Sequence, residues 1–146
     1  MVDPIMAIAV GAAVGGATGK FIEKSIDFGN EWLKERFGTH AREAQIIASE
    51  NVSDFLFRLK EKLSELESRV EIQADQIHAV ESHPQFTALM QQTILNSAQT
   101  TDQEKHDLLA SLIAIRMKSS SDSTLSLASN LASDAITRCT NKQLSL

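Results

Sequence analysis

Residues 52–80 read VSDFLFRLKEKLSELESRVEIQADQIHAV. Val52, Leu56, Leu59, Leu63, Leu66, Val70, Gln73, Ile77 and Val80 follow one another at alternating steps of four and three residues. That spacing keeps them on one face of a helix, in the heptad pattern of a coiled-coil seam. Leu56, Leu63, Val70 and Ile77 take position a, and the others take position d. Gln73 is the one polar intruder, of the kind that fixes register or partner number. Thr39 is a suitable N-cap, so the pattern predicts one long helix within residues 39–82. Such a helix would be about 60 Å long, more than a small chain covers by itself. The spacing therefore predicts an oligomer seam with a second copy or a partner helix. The alternative is a core helix packed on its own chain.

Upstream, Asp3-Pro4 is a helix-start pair: Asp caps, and Pro fits the first turn because no N–H is needed there. PIMAIAVGAAVGGATG follows, residues 4–19, with no charge. Ala7, Gly11, Gly15 and Gly19 recur every four residues and would form a glycine zipper, a helix face without side chains that a second helix can approach closely. The run spans roughly 24 Å as a helix, short of the roughly 30 Å of a bilayer core. Two readings stay open: a membrane-active or oligomerising helix, and a Gly-rich segment packed inside a soluble assembly. No Lys or Arg precedes the run, which argues against a secretory signal. Residues 20–37 then form an amphipathic helix with Ile22, Ile26, Trp32, Leu33 and Phe37 on or beside its apolar face. Gly38 closes it. The polar face carries mixed charge, which favours protein packing over lipid binding.

Downstream, Ser82-His83-Pro84 breaks the long helix, because the residue before Pro is pushed out of helical conformation. Three shorter helices follow. The first starts at Pro84. The second has Thr101-x-x-Glu104 as its capping box, and the third begins at Asp122 or Ser123. The fold expected is all-α, in three segments: 1–38, 39–82 and a small helical bundle over 83–146.

Composition limits the function. Aromatics are only 5% of the chain, and Gly and Pro total eight residues, too few turn residues for a many-stranded fold. The net charge of −5 argues against a non-specific nucleic-acid binder, so no nucleic-acid partner is expected. A single Cys, Cys139, excludes an intramolecular disulfide and disfavours a zinc site. No phosphate loop, dinucleotide fingerprint or metalloprotease motif occurs. His40, His78, His83 and His106 form no metal or catalytic constellation with neighbouring acids or nucleophiles. The expectation is a protein that is not an enzyme and has no cofactor and no metal.

His83-Pro84-Gln85-Phe86, Leu89 and the run Leu108-Leu109-Ala110-Ser111-Leu112-Ile113-Ala114 give the second half a further character. Together with the order of helices before them, they resemble bacterial abortive-infection proteins of the alpha type, over residues 3–117. The resemblance implies a bacterial phage-defence protein that arrests an infected cell, cytoplasmic or associated with the inner membrane. It brings no catalytic residues with it. The two functions expected are a self-associating, membrane-active helical protein and a soluble interaction or scaffolding module.

Overall fold

A computed structural model describes residues 8, 10, 15–119 and 132–138. Every regular element among them is helical: α1 Gly16–Phe37, α2 Arg42–Ser68, α3 Ala74–Glu81, α4 Pro84–Ala98 and α5 Gln103–Lys118. A further helical stretch, α6, covers 132–138. The all-α class follows from the sequence, and several boundaries differ from those expected.

The first difference is at the N-terminus. Ile8, Val10 and Gly15 are not helical. Helix α1 begins at Gly16, with Gly15 as an extended N-cap. Gly16 has φ +77°, a left-handed conformation that a side chain would strain. A Cβ there would also press on the Glu67 carboxylate, at 2.8 Å. The glycines therefore turn the chain where a continuous zipper helix was expected. Gly15 is exposed and Gly19 is buried inside this chain. Ala7 and Gly11 lie outside the described residues.

The second difference is in the long helix. It stops at Ser68 and resumes at Ala74. Val70 has φ +59°, rare for a β-branched residue. The Val70 N–H donates to the Glu67 carbonyl at 3.1 Å, and the Glu71 N–H donates to the Leu66 carbonyl at 2.9 Å. These two bonds are those of a Schellman C-cap, with Val70 where glycine usually stands.

The break redistributes the expected seam. Val52, Leu56, Leu59 and Leu63 are fully buried, and Leu66 is partly buried. Val70 is 70% exposed, and Gln73 is exposed as well. Ile77 and Val80 return to the core on α3, and Ile72, off the heptad pattern, is buried with them. The apolar face of α2 is thus filled by α1, α4 and α5 of the same chain. It is an intramolecular core rather than an oligomer seam. Helices α1–α5 share this core, together with Ile8 and Val10, and Ile136 of α6 packs against it.

Two starts also moved. Helix α2 is preceded by Ala41 rather than capped by Thr39. There the Gln45 side chain donates to the His40 carbonyl at 2.9 Å and, more weakly, to the Gly38 carbonyl at 3.3 Å. Helix α5 is capped by Asp102 rather than Thr101, its carboxylate accepting from the N–H groups of Glu104 and Lys105. Gly38 ends α1 and Pro84 starts α4 where the sequence put them. The start expected at Asp122 or Ser123 lies outside the described residues.

Candidate functional site

Two of the places where polar or aromatic side chains meet bear on function. The first is internal. His106 on α5 is 1% exposed. Its Nδ1 lies 2.7 Å from Oδ2 of Asp54 on α2, and its Nε2 lies 2.7 Å from the Thr100 carbonyl and 3.2 Å from that of Ser97. The ring thus ties α2 to the α4–α5 loop. Arg58, one turn after Asp54, donates to the same carboxylate oxygen at 3.0 Å. Burial alone would raise the Asp54 pKa. The hydrogen bonds from His106 and Arg58, and their charges, outweigh it and hold the carboxyl below its ordinary value.

A carboxylate behind an imidazole is half of a hydrolytic triad. Here the other half is missing: Nε2 is spent on the carbonyls of Ser97 at the end of α4 and Thr100 in the loop, and is closed to solvent. A general base must reach the proton it takes. This pair orients a loop. The i,i+4 spacing of Asp54 and Arg58 is the one sign of it in the sequence, and no local spacing signals that His106 meets them from 52 residues away.

The second place is open. Helices α1 and α4 run in the same direction side by side. Phe21 meets Phe86 with 5.9 Å between ring centroids. About two turns further along both helices, Gly29 faces Ile94. Beside this seam lies a groove of about 360 Å³. Phe21, Ser25, Phe28 and Trp32 line one wall, and Phe86, Thr87 and Met90 line the other. Lys24, Glu81 and Ser82 complete its lining. Glu81 accepts from Lys24 Nζ at 3.4 Å and lies 3.0 Å from His78 Nδ1. His78 therefore pairs with Glu81 and not with His83, which precedes α4 as its exposed N-cap.

The amphipathic face of α1 is divided between core and groove. Ile22 and Leu33 are buried, and Ile26, Trp32 and Phe37 pack partly against the core. Phe28 is 49% exposed. It stacks on Trp32 with centroids 5.6 Å apart and rings 16° from parallel. The outer half of an apolar helix face therefore forms a groove wall. A groove of this size, mostly apolar with a few polar groups, has the character of a binding site.

Among the described residues, no three His, Cys, Asp or Glu side chains gather as metal ligands. No helix of the described residues is long and apolar enough to cross a membrane. The model of a protein family of unknown function matches residues 19–146. None of the curated proteins and none of the solved structures matches the chain.

Proposed function

The chain belongs to the family of unknown function whose model spans residues 19–146, and from that premise we propose a non-catalytic interaction module that holds an aliphatic segment of a partner protein in the α1–α4 groove. The observation that carries this reading is the half-exposed Phe28 stacked on Trp32 above the groove. A Phe side chain has roughly 150–250 Å² to bury. Covering the exposed half of one is worth about 2 kcal/mol. Aromatic side chains that are rigid and half-covered are common anchors of protein interfaces.

The seam itself supports the aliphatic character of the occupant. Ile8 of this chain already packs at the Gly29–Ile94 step. An amphipathic helix laid in a groove is a recurrent way for one protein to read another. From the resemblance of residues 3–117 to abortive-infection proteins of the alpha type, we further propose a setting in bacterial phage defence. Expression in a bacterial host should then lower plaque formation, and unchanged plaque counts would remove that setting.

The groove has its own reporter, because Trp32 is the single tryptophan. A Leu/Ile/Lys amphipathic peptide of about fifteen residues, long enough to hold helix in the groove, serves as the probe. Its titration should shift Trp32 emission to the blue and saturate. Phe28→Ser should weaken that binding about tenfold or more, the loss of an aromatic anchor. Emission that stays unchanged throughout the titration removes the groove as a binding site.

A further inference from the structure

Glu81, the last residue of α3, and Lys24 are the charged residues among the described lining of the α1–α4 groove. The Ser25 and Ser82 hydroxyls of that lining already donate to the carbonyls of Phe21, at 2.9 Å, and His78, at 2.8 Å. Glu81 is therefore the group in the groove with the most to offer a polar ligand.

The Glu81 side chain is only 16% exposed, and both of its contacts fall on one oxygen. Oε1 accepts from Lys24 Nζ at 3.4 Å and lies 3.0 Å from His78 Nδ1, and neither contact uses Oε2. A carboxylate has about four lone-pair sites on its two oxygens, so this one can take a further donor. Lys24 is a loose partner: its side chain is 58% exposed, and its contact is at the long end of hydrogen bonding. An exposed pair of this kind contributes little.

The register of α1 places the carboxylate relative to the aromatic wall. Lys24, Phe28 and Trp32 are four residues apart and share a helix face. The Lys24–Glu81 pair thus marks one end of the groove and Trp32 the other, about 12 Å away along the helix. A purely aliphatic segment laid over these rings would strip water from Glu81 and give it nothing in return, which is costly for a charged acceptor. A segment with a cation at that end meets the carboxylate instead. Charge complementarity of this kind decides which partner is accepted.

We infer that the groove selects its partner segment by one basic side chain: a Lys or Arg that competes with Lys24 for Glu81, one to two helical turns from the aliphatic residues that cover Phe28 and Trp32. This inference rests on the groove being a binding site and adds which segment it accepts.

The test uses the full chain and Trp32 emission. Two Leu/Ile amphipathic peptides of about fifteen residues are titrated, one with Lys along its polar face and one with Gln at the same positions. The salt is about 0.15 M, so that charges outside the groove are largely screened. The parent protein should bind the Lys peptide at least about tenfold more tightly than the Gln peptide. Glu81→Gln keeps the shape of the side chain and should remove that preference. Glu23→Gln makes the same change of net charge at an exposed α1 position outside the groove lining, and should keep it. Lys24→Gln removes the competitor and should tighten the Lys peptide about threefold, the scale of an exposed ion pair. Helical circular dichroism verifies that each variant is folded.

Equal binding of the two peptides by the parent protein overturns the inference and leaves the groove standing. So does a Lys preference that survives in Glu81→Gln, or one that Glu23→Gln abolishes as well. A Lys peptide that binds Lys24→Gln no more tightly than the parent protein overturns the competition for Glu81. Trp32 emission that shifts with neither peptide removes the groove, and the inference with it.

Discussion

The Glu71 N–H donates to the Leu66 carbonyl at 2.9 Å, and with it α2 ends two heptads before its apolar pattern does. The bond needs Val70 in the left-handed region, at φ +59°. For an L-residue with a side chain that conformation costs about 1–2 kcal/mol, and glycine avoids it. Val70 is 70% exposed, so its side chain contributes little burial in return. Val70→Gly should therefore stabilise the protein by about 0.5–1 kcal/mol after the greater chain entropy of glycine is counted. A urea melt measures it as a higher midpoint with an unchanged slope. A lower midpoint would mean that Val70 is held in a continuous helix, where glycine is the worse residue.

That cap explains what the sequence disclosed and what it did not. A four-three pattern reports which residues face inward, and it did so for Val52, Leu56, Leu59 and Leu63. It does not report which chain they face. It is also blind to a break that starts the next helix on the same side, as Ile77 and Val80 do after the cap. Nothing in Arg69-Val70-Glu71 marks a helix end, because the usual glycine is absent. Of the glycines expected in a zipper, Gly15 instead turns the chain, together with Gly16, and Gly19 is buried within α1. The groove was half legible: the amphipathic period put Trp32 on the apolar side, but the α4 wall came from packing that no local spacing encodes.

Because the α2 face is internal, Leu63 is a core residue and not a contact between subunits. It is fully buried. Leu63→Ala should cost about 2–5 kcal/mol of folding stability, through lost burial and the cavity left behind. The mass by light scattering should stay the same for as long as the protein is folded. A variant that keeps its melting temperature but halves its mass would return Leu63 to an oligomer seam.

The His106–Asp54 contact gives a pH dependence with a defined sign. Asp54 has its pKa lowered in the folded protein: burial opposes the shift, and His106 and Arg58 outweigh it. A carboxylate with a depressed folded pKa binds fewer protons folded than unfolded. It therefore contributes stability that is fully present above its unfolded value, about 3.9, and is lost as pH falls through the folded value. Asp54→Asn should lower the melting temperature at pH 6, and the gap from the parent protein should narrow below about pH 4. A gap that is constant from pH 6 to pH 2 would show that the charge of Asp54 does not carry the contact.

Arg116 on α5 presents the opposite case, a charged group that is buried without enough partners. It is 1% exposed, and among the described residues its Nε and Nη2 have no hydrogen-bond acceptor. Its Nη1 donates to the Ser119 carbonyl at 3.5 Å. Each unmet buried donor costs about 1–3 kcal/mol, more when it belongs to a charged group. Met has similar length, no donors and a flexible stem that fills irregular space. Replacing a poorly paired buried charge by an apolar residue of like volume is often neutral or stabilising by about 1–4 kcal/mol. Arg116→Met should therefore hold or raise the urea midpoint. A loss of 3 kcal/mol or more, on the order expected for breaking a satisfied buried pair, would mean that the guanidinium has an acceptor in solution and that its two nitrogens are bound there.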